Sequence, residues 1–153
     1  MNDAPKSGGP PSDSLLEGLT FCLDETNDGA RLIDFLRSRG AVVERLKDHH
    51  VHCGTTDEEW LPYVCEKCWI ILSRDNHIRR RLMELLGIKN TNGRMFVLRS
   101  HALSSEAIVE VVGRSLVGMV RFINETDPPF IANIVRSGEI TQVRLPDWEA
   151  PEQ

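Results

Sequence analysis

Short apolar runs return at regular intervals along the chain, and segments of helical spacing separate them. LTFCLDE (19–25), AVVERL (41–46), WIILSR (69–74) and RMFVLR (94–99) are too short for buried helices and read as strands. NDGARLIDFLRSRG (27–40), DEEWLPYVCEKC (57–68) and HIRRRLMELLG (77–87) read as the helices between them. The clearest helix is SSEAIVEVVGRSLVGMVRFIN (104–124), where Ile108, Val111, Val112, Ser115, Leu116, Met119, Val120 and Ile123 keep i, i+3, i+4 spacing. FIANIVRSGEITQVRL (130–145) reads as two strands around a turn at Gly138. Parallel strands must be joined by crossovers, and the crossover helices cover both faces of the sheet. The expected fold is therefore a three-layer α/β/α sandwich with a mostly parallel central sheet and a C-terminal β-hairpin. Its crossovers are expected to be right-handed.

Local signals set the expected element ends. Asn27 or Asp28 caps the first helix and Gly40 closes it. Pro62 delays or kinks the second helix, and Gly87 ends the third.

The 153 residues fit one domain, and 41% apolar with 27% charged residues suits a globular chain with a full core. Residues 1–18, rich in Gly, Pro, Ser and Asp, are expected to form a disordered arm, 19–145 the domain, and 146–153 (PDWEAPEQ) a tail in which Trp148 can dock. A net charge of −5 argues against a general coat for polyanions but leaves room for a local basic site. No run approaches the ~18 apolar residues needed to span a bilayer. MNDAPKSGGPPSDS lacks the apolar centre of a signal peptide. The expectation is a cytoplasmic protein, with no membrane partner, whose four cysteines are thiols.

In a parallel sheet all strands end on one edge, and ligands bind there. Asp24 follows the first strand, Asp75 follows the third, and TTDEEW opens a helix after the second. Taken singly, each acid is accounted for as a turn or cap residue, and Thr55 with Glu58 fits a capping box. Together they bring three acids from three elements to one edge. Converging carboxylates repel, and a divalent cation with oxygen ligands relieves the repulsion. The candidate ligands are Asp24, Asp57 and Asp75, with Glu58 as the alternate to Asp57. Asn76 and Glu25 are in support. Arg74, Arg79, Arg80 and Arg81 surround Asp75. Guanidinium groups grip phosphates by forked hydrogen bonds, so Arg74, Arg79 and Arg80 are the candidate substrate contacts. Helical spacing keeps the last three from all pointing one way, and at least one faces solvent.

FCLDET, DEEWLP, IILSRDNHIRRR and PPFIANIV, in this order and spacing, resemble the PIN-like superfamily over roughly residues 19 to 136, most closely the branch of VapC-type toxins. The resemblance implies a ribonuclease dependent on Mg²⁺ or Mn²⁺, with Asp24, Asp57 (or Glu58) and Asp75 as its catalytic acids. It also implies RNA as substrate and an antitoxin protein as partner. A homodimer or antitoxin surface is offered by the 104–124 helix and the last hairpin. The fuller pattern has a fourth acid after the next strand. Here MFVLRSH offers Ser100 and His101 instead, which leaves a weaker metal site, a recruited Asn76 or Glu25, or an inactive module.

The competing metal centre is sulfur-rich: His49, His50, His52 and Cys53, followed by Cys65 and Cys68 at a zinc spacing. Cys65 and Cys68 fall within the expected helix, where a zinc knuckle needs a turn, and Cys22 and Cys68 read as small core residues. A phosphatase with a nucleophilic aspartate needs a second Asp two residues on, and position 26 is Thr.

Overall fold

The computed structural model describes residues 14–23, 29–45, 57–88, 92–99 and 103–145, with the side chains of 57–59 and 87–88 excepted. The elements follow the expected order: β1 (Thr20–Leu23), α1 (Ala30–Ser38), β2 (Val42–Arg45), α2 (Asp57–Glu66), β3 (Ile70–Ser73), α3 (Asn76–Ile88), β4 (Arg94–Leu98), α4 (Ser105–Glu125), β5 (Phe130–Ile134) and β6 (Ile140–Gln142). They form one six-stranded sheet in the order β2-β1-β3-β4-β5-β6. All pairs are parallel except β5 with β6, which closes the sheet as the expected antiparallel hairpin.

The period of two along each strand divides the core into two layers. Phe21, Leu23, Ile70, Leu72, Phe96, Leu98, Phe130 and Ala132 face α1 and α4. Cys22, Ile71, Met95, Val97 and Ile131 face α2 and α3. On the first face Phe96, Phe122 and Phe130 meet edge to face, with ring centroids 4.9 to 5.9 Å apart. The apolar stripe of α4 is buried along Val111, Val112, Ser115, Leu116 and Met119.

One crossover departs from the expected hand. The steps from β3 to β4 and from β4 to β5 run in the same direction across the sheet. Yet α3 packs on one face and α4 on the other, against α1. The β4–α4–β5 unit therefore has the opposite hand to the other three. As a result, the N-terminal ends of α1 and α4 share one face at the carboxyl edge of the sheet.

Several local expectations are corrected. Leu16 is fully buried and its amide donates to the Arg39 carbonyl at 2.9 Å, so the packed domain takes in residues from Ser14 on. Helix α1 starts at Ala30 with Gly29 as N-cap and no side-chain cap, while Asn27 and Asp28 lie outside the described residues. Helix α2 runs through Pro62, whose ring falls after the first turn. Helix α3 continues past Gly87 to Ile88. Gly138 is where expected, at φ 95°, and an added Cβ would stand 2.7 Å from the Arg114 Cβ.

The sulfur-rich motif is also revised. Helix α2 ends at Glu66, and Cys68 sits in a turn with φ 61°. The turn a knuckle would need is therefore present, but its two thiols part. Cys65 is buried in the α2–α3 layer, and Cys68 is exposed, so Cys65 and not Cys68 is the core residue. His49, His50, His52 and Cys53 lie outside the described residues. Among the described residues no helix is long and apolar enough to cross a membrane.

Candidate functional site at the carboxyl edge of the sheet

The strand order reverses direction at β1: the chain goes out to β2 and returns to β3 on the other side. This switch point opens a crevice at the carboxyl ends of β1 and β3. Leu23, the residue before Asp24, pairs with Leu72, three residues before Asp75. Asp24 and Glu25 themselves lie outside the described residues, and α2 begins at Asp57, where the side chains of Asp57 and Glu58 are not described. The chain thus leaves β1 and β3 side by side, as the convergence of Asp24 and Asp75 requires.

Asp75 is held in place by its neighbours. The Ser73 hydroxyl, buried at the end of β3, accepts from the Asp75 amide at 3.0 Å. One Asp75 oxygen, Oδ1, accepts from the His77 amide at 2.8 Å, and the Asp75 carbonyl accepts from the Arg79 amide. Asp75 is therefore the N-cap of α3. Capping occupies one oxygen. Among the described residues Oδ2 has no hydrogen-bond partner, so cap and ligand roles are compatible.

The arginines divide. Ile78, Leu82 and Leu86 bury one face of α3. Arg80, two residues from each of Ile78 and Leu82, is exposed on the opposite side, away from Asp75's neighbours. Arg81 pairs with Glu84 at 3.3 Å. Arg79 lies on the flank with Asn76, its Nε donating to Asn76 Oδ1 at 3.4 Å and its Nη1 pointing at Met83 Sδ at 3.5 Å. Arg74 is exposed and lines a cleft on the other face of the sheet. That cleft, open to solvent, is bounded by Gly29, Leu32, Leu72, Ser73, Leu98, Ser105 and Ile108.

Two residues escaped the sequence reading. Ser73 fixes Asp75, and a hydroxyl two residues before a carboxylate at a strand end was the signal for it. Arg99 follows β4 and donates from Nη1 to Asn76 Oδ1 at 2.6 Å. Its partner is 23 residues away in the chain, so nothing local marks it. Ser100 and His101 lie outside the described residues. Asn76 thus turns its oxygen toward two guanidiniums. Among the described residues no group of three His, Cys, Asp or Glu side chains is placed to hold an ion.

A parallel α/β/α sandwich with a carboxylate at its switch point defines the class. Residues 19–100, a little over half of the chain, match the family model described as a PIN like domain, and the chain belongs to that family. PIN-like domains are generally nucleases and typically use divalent metals. No curated protein and no solved structure matches the chain. The match ends just past β4, so α4, β5 and β6 lie beyond it.

Proposed function

We propose that this protein is a metal-dependent ribonuclease that hydrolyses RNA phosphodiesters at the carboxyl edge, and that it is the VapC-like toxin of a toxin–antitoxin pair. RNA and an antitoxin protein are its partners in this reading. The observation behind it is Asp75, a carboxylate anchored at the switch point of a PIN-like sheet beside arginines.

The donor chemistry at this edge fits a hard cation. Asp75 offers a carboxylate oxygen, and the chain exits toward Asp24 and Asp57 on the same edge. Asp24, Asp57 and Asp75 would hold Mg²⁺ or Mn²⁺, with Glu58 in support. When bound, the ion would supply Lewis acidity to the scissile phosphate and to the attacking water. The chain's own groups do the rest. Ser73 and the His77 amide keep Asp75 in one orientation, so little order has to be imposed when the site fills. Arg74 and Arg79 oppose the negative charge that builds on the phosphoryl oxygens.

The Arg99–Asn76 contact favours a second reading. It takes the Asn76 oxygen away from a metal and leaves fewer ligands, as in an RNA-binding module that does not cleave. Cleavage of RNA with Mn²⁺ by wild type, Asp24→Asn and Asp75→Asn separates the two. Metal-dependent cleavage lost in both variants supports the hydrolase. Equal cleavage by all three points to a contaminant. Absence of cleavage by wild type, with RNA still bound, supports the module.

A further inference from the structure

Strand β4 ends next to β3, and its side chains alternate between the two layers. Met95 and Val97 face α2 and α3, so Arg99 emerges on that same side, at the N-terminal turn of α3. There it meets Asn76. The Arg99 Nη1 and the Arg79 Nε are 2.6 Å and 3.4 Å from one Asn76 oxygen, so these two donors stand no more than 6.0 Å apart. Among the described residues neither guanidinium forms an ion pair with a carboxylate. A neutral amide orients two cations but does not cancel their repulsion, whereas a bound anion does. The forks of two arginines suit the non-bridging oxygens of a phosphate.

We propose that Arg79 and Arg99, held together by Asn76, form a clamp for one phosphate of a single-stranded RNA beside Asp75. Only the choice of RNA as the polyanion rests on the ribonuclease reading. Arg79 and Arg99 touch the phosphate, and Asn76 is a positioning residue that acts through them. The clamp supplies positive charge on the β4 side of the site, where MFVLRSH offers no acid.

The test is binding of a short, labelled single-stranded RNA by fluorescence anisotropy, with divalent ions chelated so that cleavage cannot interfere. Arg79→Ala and Arg99→Ala are each expected to weaken binding about tenfold, and the double variant to lower the log–log salt slope by about 0.7, the share of the one phosphate they hold together. Arg99→Lys keeps the charge but loses the fork, and falls between Arg99→Ala and wild type. Asn76→Asp places a carboxylate between the arginines in competition with the phosphate, and is expected to weaken binding more than Asn76→Ala. A merely structural pair would instead gain stability from Asn76→Asp with RNA affinity unchanged. Arg121→Ala, an exposed cation on α4, is the charge-matched control and stays within twofold of wild type. Thermal melts of each variant show that it is folded.

Inorganic phosphate, at matched ionic strength, is the second arm. It should displace RNA no better than chloride does, and displacement at micromolar phosphate overturns the polynucleotide assignment. If Arg79→Ala and Arg99→Ala bind like wild type with the same salt slope, the clamp is wrong, even where Mn²⁺-dependent cleavage is intact. Loss of RNA binding in both, in a protein that never cleaves, keeps the clamp and removes the hydrolase.

Discussion

The two sides of the carboxyl edge are built from the same strands and offer opposite chemistry. On the α3 side, Ser73, Asp75, Asn76, Arg79 and Arg99 make a hydrogen-bonded polar cluster. On the α1–α4 side, Leu32, Leu72, Leu98 and Ile108 line an aliphatic cleft with Arg74 at its mouth. Leu98 and Arg99 are adjacent, yet Leu98 lines the cleft while Arg99 meets Asn76 on the α3 side. The pleat does the sorting, because a shift of one residue moves a side chain to the other face. Both faces of the sheet carry packed core, so at the carboxyl edge it is phosphate chemistry that should be confined to the α3 side.

The largest effect that can break this division is expected from Phe96→Ala. Phe96 is fully buried against Phe122 and Phe130 in the α1–α4 layer. Truncating it should cost about 3–5 kcal/mol in urea unfolding, while the fraction still folded binds RNA like wild type. A cost below about 1 kcal/mol would show that Phe96 does not anchor this layer.

Next comes a pair of changes at Asp75. Asn caps a helix about as well as Asp, so Asp75→Asn should leave stability within about 0.5 kcal/mol. Yet it should cut metal-dependent cleavage more than about 100-fold, beyond the usual effect of losing an outer-shell partner. Asp75→Ala should lose the cap as well and cost about 1 kcal/mol. Equal activity losses with equal stability losses in both would reduce Asp75 to a cap.

A smaller effect is expected at Asn133, in β5 opposite Val97. Its Oδ1 is buried and has no hydrogen-bond partner among the described residues. An unsatisfied polar atom destabilises, so Asn133→Leu should raise stability by about 1 kcal/mol with RNA affinity unchanged. A drop in affinity would instead extend the polar cluster to β5.

The fold was legible because each strand and helix declared itself locally. WIILS has the apolar run of a strand buried on both faces, and α4 has a long periodic stripe. The position of Asp75 was legible for the same reason: a charge just past a strand end has only one edge to go to. What escaped depends on contacts between distant segments. Nothing local in residues 104–124 says which face α4 must cover. The aromatic contacts of Phe122 with Phe96 and Phe130 show where it went. Leu16 looked like part of a polar arm because its partner, the Arg39 carbonyl, is a backbone atom with no sequence signature. Cys68 read as core until the turn after α2 exposed it.

The smallest expected effect tests the apolar side directly. The cleft opens to solvent at the end of β3. Its walls are aliphatic, apart from Ser73, Arg74 and the two helix ends at Gly29 and Ser105. A base of the bound RNA inserted there would blur the division between the faces. Ser105→Phe puts a ring at the start of α4, where Ser104 still caps the helix through the Ala107 amide. If phosphate contacts on the α3 side dominate, RNA affinity stays within twofold of wild type and the salt slope is unchanged. A tenfold loss with the same slope would mean that the cleft receives an uncharged part of the substrate, since the slope counts only phosphates. Read together, affinity and slope tell a base pocket from a phosphate clamp on a protein whose two faces otherwise share every strand.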